Sequence, residues 1–192
     1  MKILNRAQIQ NWDGYTIDNE PVSSIDLMER ASRKCAEWII SRYSSNIPVH
    51  IFCGIGNNGG DGLAIARILI NNDYAVESYV CKFSEYSSKD HQVNHQRLEA
   101  MYYEINTIEG ALDIPELQSD VLVIDAIFGS GLTRPIEGWL AELVDAINEA
   151  NPTIVSIDMP SGLYCEENQT NPLSTVIKAD HTLTFQIPKL SQ

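Results

Sequence analysis

The chain has 192 residues, 44% of them hydrophobic and 20% charged, with a formal net charge of −13 at pH 7. That is enough chain for one domain with a core that needs no disulfide or metal staples. The acidic balance argues against a nucleic-acid backbone as ligand, which requires clustered Lys and Arg. No apolar run approaches the ~20 residues that cross a bilayer.

Residues 5–19 read as a helix, with Ile9, Trp12, Tyr15 and Ile17 loosely on one side. Ser23-Ser-Ile-Asp26 reads as a capping box. It opens a second helix to about Tyr43, along which Leu27, Met28, Ala31, Cys35, Trp38 and Ile39 form a core-facing stripe. Pro48 starts a strand that ends at Cys53. That strand runs straight into Gly54-x-Gly56-x-x-Gly59 and then Gly60, Asp61 and Gly62, read as a tight loop before a helix from Leu63 to Ile70. Glycines at a strand-to-helix turn permit close backbone approach, and the helix start offers N–H groups to a phosphate-bearing ligand. The alternative is that they serve only the turn and helix packing.

Farther along, Ala75 to Cys81 reads as a strand, Ser87 to Tyr103 as a helix and Ile105 to Ile108 as a short strand. Val121 to Ile124 is a continuous apolar run, the pattern of a strand buried on both faces, and it ends in Asp125. A helix is expected over Ile136 to Ala150. Thr153 to Ile157 is another buried strand, ending in Asp158-Met-Pro-Ser-Gly162, and Ala179 to Ile187 alternates as a last strand. Strands alternating with helices predict an α/β fold, a three-layer, doubly wound, Rossmann-like and mostly parallel sheet, with an added N-terminal helical pair. Residues 1–192 are expected to form a single domain, either truncated or excised from a longer chain.

In such sheets ligands bind at the carboxyl ends of strands. Three of these ends carry a carboxylate beside small residues: Gly54 to Gly62, Asp125 with the 129–135 run, and Asp158 to Gly162. Asp125 and Asp158 either cap the turns that follow or face one composite pocket. Gly62 is followed by Leu63, so there is no P-loop Lys. The second strand ends in Cys81-Lys82 without the acidic residue of an ordinary NAD fingerprint. His91 and His95, spaced i, i+4, are either a metal pair or part of a solvated helix face. Cys35, Cys53, Cys81 and Cys165 match no zinc or redox spacing and read as small buried hydrophobes. With no apolar leader at Met1-Lys-Ile-Leu-Asn5, they point to a reducing, cytoplasmic setting.

Together Gly54-x-Gly-Asn-Asn-Gly-Gly-Asp-Gly62, Asp125-Ala-Ile-Phe-Gly-Ser-Gly131 and Ser156-Ile-Asp-Met-Pro-Ser-Gly162 resemble the YjeF N-terminal domain, the NAD(P)H-hydrate epimerases. Tyr15-Thr-Ile-Asp18, Leu27-Met-Glu-Arg-Ala31 and Thr182 to Lys189 are similar to its outer segments. The resemblance implies interconversion of the R and S forms of hydrated NADH and NADPH. It implies substrate contacts from Asn57, Asn58, Gly59, Gly60, Asp61, Gly129, Ser130, Gly131, Leu132, Thr133, Arg134, Pro135 and Asp158. It further implies a potassium ion on Asn58, Asp125 and Ser161, a homodimer, and an ADP/ATP-dependent dehydratase partner, separate or fused. Asp158, a carboxylate at a strand end, is the expected acid–base group. A non-catalytic nucleotide-binding or scaffold module of the same fold is the alternative.

Overall fold

The computed structural model describes residues 5–166, 168, 171 and 175–191; most of the leader reading, at 1–4, lies outside them. Helix α1 (Arg6–Asn19) is closed at its start by a reciprocal pair: Gln8 N donates to Asn5 Oδ1 and Asn5 N donates to Gln8 Oε1. Helix α2 (Ser24–Ile40) begins where Ser23 Oγ accepts from Asp26 N. It ends before the expected Tyr43 because the chain passes into turns after Ile40. Strand β1 (Val49–Cys53) leads into helix α3 (Asn57–Ile70), then β2 (Val76–Cys81), α4 (Lys89–Glu99) and β3 (Ile105–Ile108). The second half runs β4 (Leu122–Ala126), α5 (Trp139–Ala150), β5 (Thr153–Ile157) and β6 (His181–Leu183).

All five strand pairings are parallel, in the order β3-β2-β1-β4-β5-β6. The order reverses between β1 and β4, which makes their carboxyl ends the switch point of the sheet. Side chains alternate across the sheet, and so divide the core in two. Ile51, Cys53 and Ile124 pack with Cys35, Ile39, Leu63, Leu69 and Leu98 of α2, α3 and α4. Phe52 and Val123 pack with Leu143, Val144 and Ile147 of α5 on the other face. The expected three-layer architecture with its N-terminal helical pair is present.

Beyond shorter helix ends in α2, α4 and α5, three elements depart from the sequence reading. The glycine stretch is not a loop up to Gly62, since α3 starts at Asn57 and only residues 54–56 make the turn. Helix α1 buries Ile9 but leaves Trp12 43% and Tyr15 66% exposed, so its apolar residues do not form one inward stripe. The last strand stops at Leu183, after which the chain bends away from the sheet edge.

Glycine at position 59 is a steric requirement. A Cβ there would lie 1.6 Å from the Gly54 carbonyl oxygen and 2.5 Å from its carbon. The first turn of α3 therefore rests on the backbone that leaves β1, which is itself tied to β4 by Gly54 N donating to Ala126 O. Gly59→Ala is expected to cost about 3 kcal/mol or more, because the backbone itself must shift. Gly14→Ala, where a Cβ meets open space on α1, is expected to stabilise by about 0.5–1 kcal/mol. Urea unfolding of the two variants checks both.

Candidate functional site

A cavity of ≈ 570 Å³ opens at the carboxyl ends of β1, β4 and β5. This lies within the range usual for small-molecule sites. Its floor begins with α3. Gly56 is the N-cap and offers no side-chain bond, so the N–H groups of the first turn have no partner within the helix. Asn57, Asn58 and Asp61 line the cavity, while Gly59 and Gly60 are buried inside the helix packing. The run 129–134 forms a second wall that includes Ser130 and Arg134; Pro135 lies outside it.

Asp158 forms the third wall, at the end of β5. It is 8% exposed and adopts φ 64°, a left-handed conformation costing a non-glycine residue on the order of 1 kcal/mol. The surrounding bonds hold it there. Asp158 N donates to Leu183 O, Ser130 N donates to Asp158 Oδ2 at 2.9 Å, and Lys189 Nζ donates to Asp158 Oδ1 at 2.6 Å. Lys189 is wholly buried, and its ammonium also donates to Thr184 Oγ1 and the Phe185 carbonyl. Gly129 permits this arrangement. A Cβ there would sit 2.8 Å from Asp158 Oδ2 and 3.2 Å from Asn58 Cγ.

Asp125 and Ser161 do not line the cavity; they lie beneath it. Asp125 is fully buried and accepts from Ser156 Oγ, Ser161 N, Ser161 Oγ and Ile127 N. Burial pushes its carboxyl up, while these donors pull it down. Phe128 N donates to Ser161 Oγ, which closes the network between the turns after β4 and β5. Asn58 differs: its side-chain oxygen and nitrogen are both buried without a hydrogen-bond partner. The three residues implied for a cation thus comprise a buried carboxylate, a hydroxyl and an unsatisfied amide oxygen. All are oxygen donors of the kind a hard cation takes, so the residues fit such an ion.

Several contributors had no role assigned from the sequence. Lys189 is one, since a lone Lys near a strand end reads as solvated. Asp13 of α1 is another: it lines the cavity, accepts from Gln186 Nε2 at 2.7 Å, and is pushed above its ordinary value chiefly by burial. Phe83, Tyr86, Phe185 and Gln186 complete the rim. The histidine pair departs from both of its readings. His91 is buried, not solvated, with neither ring nitrogen hydrogen-bonded, and burial followed by the charge of His95 pushes it down to about 4. Among the described residues no three His, Cys, Asp or Glu side chains are grouped to hold a metal. Lys82 pairs with Glu109 at 2.8 Å and Glu85 at 3.8 Å, outside the cavity. All four cysteines are buried and unpaired, as expected of packing residues.

The fold and much of the sequence are shared with other proteins. The crystal structure of the yeast protein ynu0 (YNL200c) superposes with a TM-score of 0.77 at 21% identity, covering 98% of this chain and 82% of that one. The NAD(P)H-hydrate epimerase of Oenococcus oeni is 35% identical over 188 residues, 97% of this chain and 86% of that protein. The NAD(P)H-hydrate epimerase of Limosilactobacillus fermentum is 36% identical over 186 residues, with the same coverages. The bifunctional NAD(P)H-hydrate repair enzyme Nnr of Thermofilum pendens is 31% identical over 195 residues, 99% of this chain but 36% of that larger protein. The model of the YjeF-related protein N-terminus matches residues 24–191, and the chain belongs to that family.

Proposed function

We infer that this chain is an NAD(P)H-hydrate epimerase, interconverting the R and S forms of hydrated NADH and NADPH. The observation that carries this is the convergence of the three family segments on one cavity, in a chain 35–36% identical to proteins of that name. Those names favour the enzyme over a non-catalytic module of the same fold. The free N–H groups at the start of α3 suit the dinucleotide phosphates despite the acidic protein. The 129–134 wall and Asp158 face the rest of the substrate.

Epimerisation must remove and restore the configuration at the hydroxyl-bearing C6 of the nicotinamide ring. Reversible loss of that oxygen does so, and it needs a proton donor and a proton acceptor. Asp158 is the acceptor. Ser130 N holds one of its oxygens and Lys189 the other, so its position is set before substrate arrives. The apolar Ile55, Ile127 and Phe128 line the same cavity.

In this reading a potassium ion is held by the amide, hydroxyl and carboxylate oxygens of Asn58, Ser161 and Asp125, donors of the kind a hard cation takes. Bound there, it would supply positive charge that offsets Asp125 and fills the vacant partner position of Asn58. The same reading includes a second copy of the chain as homodimer partner and an ADP/ATP-dependent NAD(P)H-hydrate dehydratase that consumes one epimer. The name of the bifunctional Thermofilum relative supports the latter pairing. No helix among the described residues is long and apolar enough to cross a membrane. The four unpaired thiols support a reducing, cytoplasmic setting.

Incubating the protein with an unequal mixture of hydrated NADH epimers, followed by chromatography, is expected to speed their approach to equilibrium; a rate equal to buffer rejects the epimerase reading. Asp158→Asn is expected to slow the reaction by about 10²-fold or more while dinucleotide binding persists. Lys189→Met leaves a buried carboxylate without its ammonium, and is expected to cost about 3–5 kcal/mol of stability in urea unfolding. Asn58→Ala is expected to raise the potassium concentration needed for half-maximal activity, read by titrating potassium chloride against tetramethylammonium chloride at constant ionic strength.

A further inference from the structure

Asp158 answers for only one of the two protons in the exchange. The cavity holds a second buried carboxyl in a different environment. Asp61 lies one turn into α3, is 7% exposed and lines the same cavity. Ser32 Oγ of α2 donates to Asp61 Oδ1 at 2.9 Å, and among the described residues no Lys, Arg or His forms an ion pair with it. The cavity therefore pairs a carboxyl held against an ammonium with one held against a neutral hydroxyl. Such a difference in surroundings separates the proton acceptor from the proton donor in a two-carboxyl site.

We propose that Asp61 is the proton donor to the departing C6 oxygen, with Lys189-bound Asp158 taking the proton of the returning water. This rests on the epimerase reading above. In the first step the Asp61 carboxyl proton moves to the C6 hydroxyl. The C6–O bond breaks with its electron pair on oxygen, water leaves, and the N1 lone pair forms an N1=C6 double bond. In the second step a water oxygen bonds to C6 from the other face, the N1=C6 pair returns to N1, and the water proton passes to Asp158. The opposite epimerisation runs the same path backward, with Asp158 as donor and Asp61 as acceptor.

The electrostatics agree with the geometry. Burial pushes the Asp61 carboxyl well above the usual carboxylate range, the Ser32 hydroxyl opposes this, and the charges of Asp158, Asp90 and Asp13 add to the rise. The groups around it are Asp13 from α1, Ser32 and Cys35 from α2, Cys53 from β1, Asp90 from α4 and Asp158 from the end of β5. Lys189 stands against Asp158.

The test is steady-state kinetics on four proteins: wild type, Asp61→Asn, Asp61→Glu and Ser32→Ala. Asp61→Asn is expected to lower kcat by about 10²-fold or more, with KM within about threefold of wild type, and Asp61→Glu to recover part of the loss. Activity should fall as pH rises through the Asp61 titration. Ser32→Ala, which removes a bond to the charged form, should move that alkaline limb to higher pH. The fold is checked by Tm. A carboxyl raised above its unfolded value penalises the fold only at pH above that value, so Asp61→Asn should raise Tm near about pH 8 and not near about pH 4. A kcat for Asp61→Asn within about fivefold of wild type, or an alkaline limb unmoved by Ser32→Ala, overturns the assignment. If wild type epimerises and Asp61→Asn does too, only this inference fails; if wild type is inert, the epimerase reading fails with it.

Discussion

The contact between the first turn of α3 and the backbone leaving β1 is the constraint on which the site depends. Gly54 N is bound to the end of β4, and Gly59 lies on the Gly54 carbonyl without room for a side chain. The helix start therefore sits against the switch point of the sheet, where the order β3-β2-β1 turns to β4-β5-β6. Asn58 and Asp61 are carried on that same helix start. Their places beside Gly129 and Asp158 follow from that backbone contact together with the packing of α3 into the core. Glycine is a poor helix former, and here it occupies a helix because the neighbouring backbone excludes anything larger.

The charge arrangement is the second consequence. The described cavity residues include Asp13, Asp61 and Asp158 on three elements, and Asp125 lies just below. Lys189 compensates one of them directly. The others are left to hydroxyls, backbone N–H groups, the Gln186 side-chain amide and, in the proposed function, a cation. A site of this kind gives up stability for the placement of charge. The left-handed backbone at Asp158 has the same character, since it is a strained conformation held by three surrounding bonds.

The central sheet was legible because its strands are buried on both faces and read as unbroken apolar runs, as at Val121–Ile124 and Thr153–Ile157. Asp125 and Asp158 were legible for the same reason, since each follows such a run; Asp61 was marked only by the glycine-dense stretch around it. The start of α3 was not, because Asn and Gly ordinarily mark turns and only tertiary contact makes them helical here. Lys189 was not, because the partner of a long cationic side chain is set by distant chain. His91 resisted both readings, since no pattern in a polar helix says which face a neighbouring helix will cover. The short β6 was hidden by an alternation that continues past Leu183, where the chain turns to bring Phe185 and Gln186 to the cavity.

The bond from Gln186 to Asp13 joins residues 173 positions apart. It and the Lys189–Asp158 pair draw α1 and the segment after β6 over a sheet whose inner ladders are complete without them. These closing contacts are side-chain bonds from segments outside the sheet, so the chamber above it can open locally at a free energy below that of global unfolding.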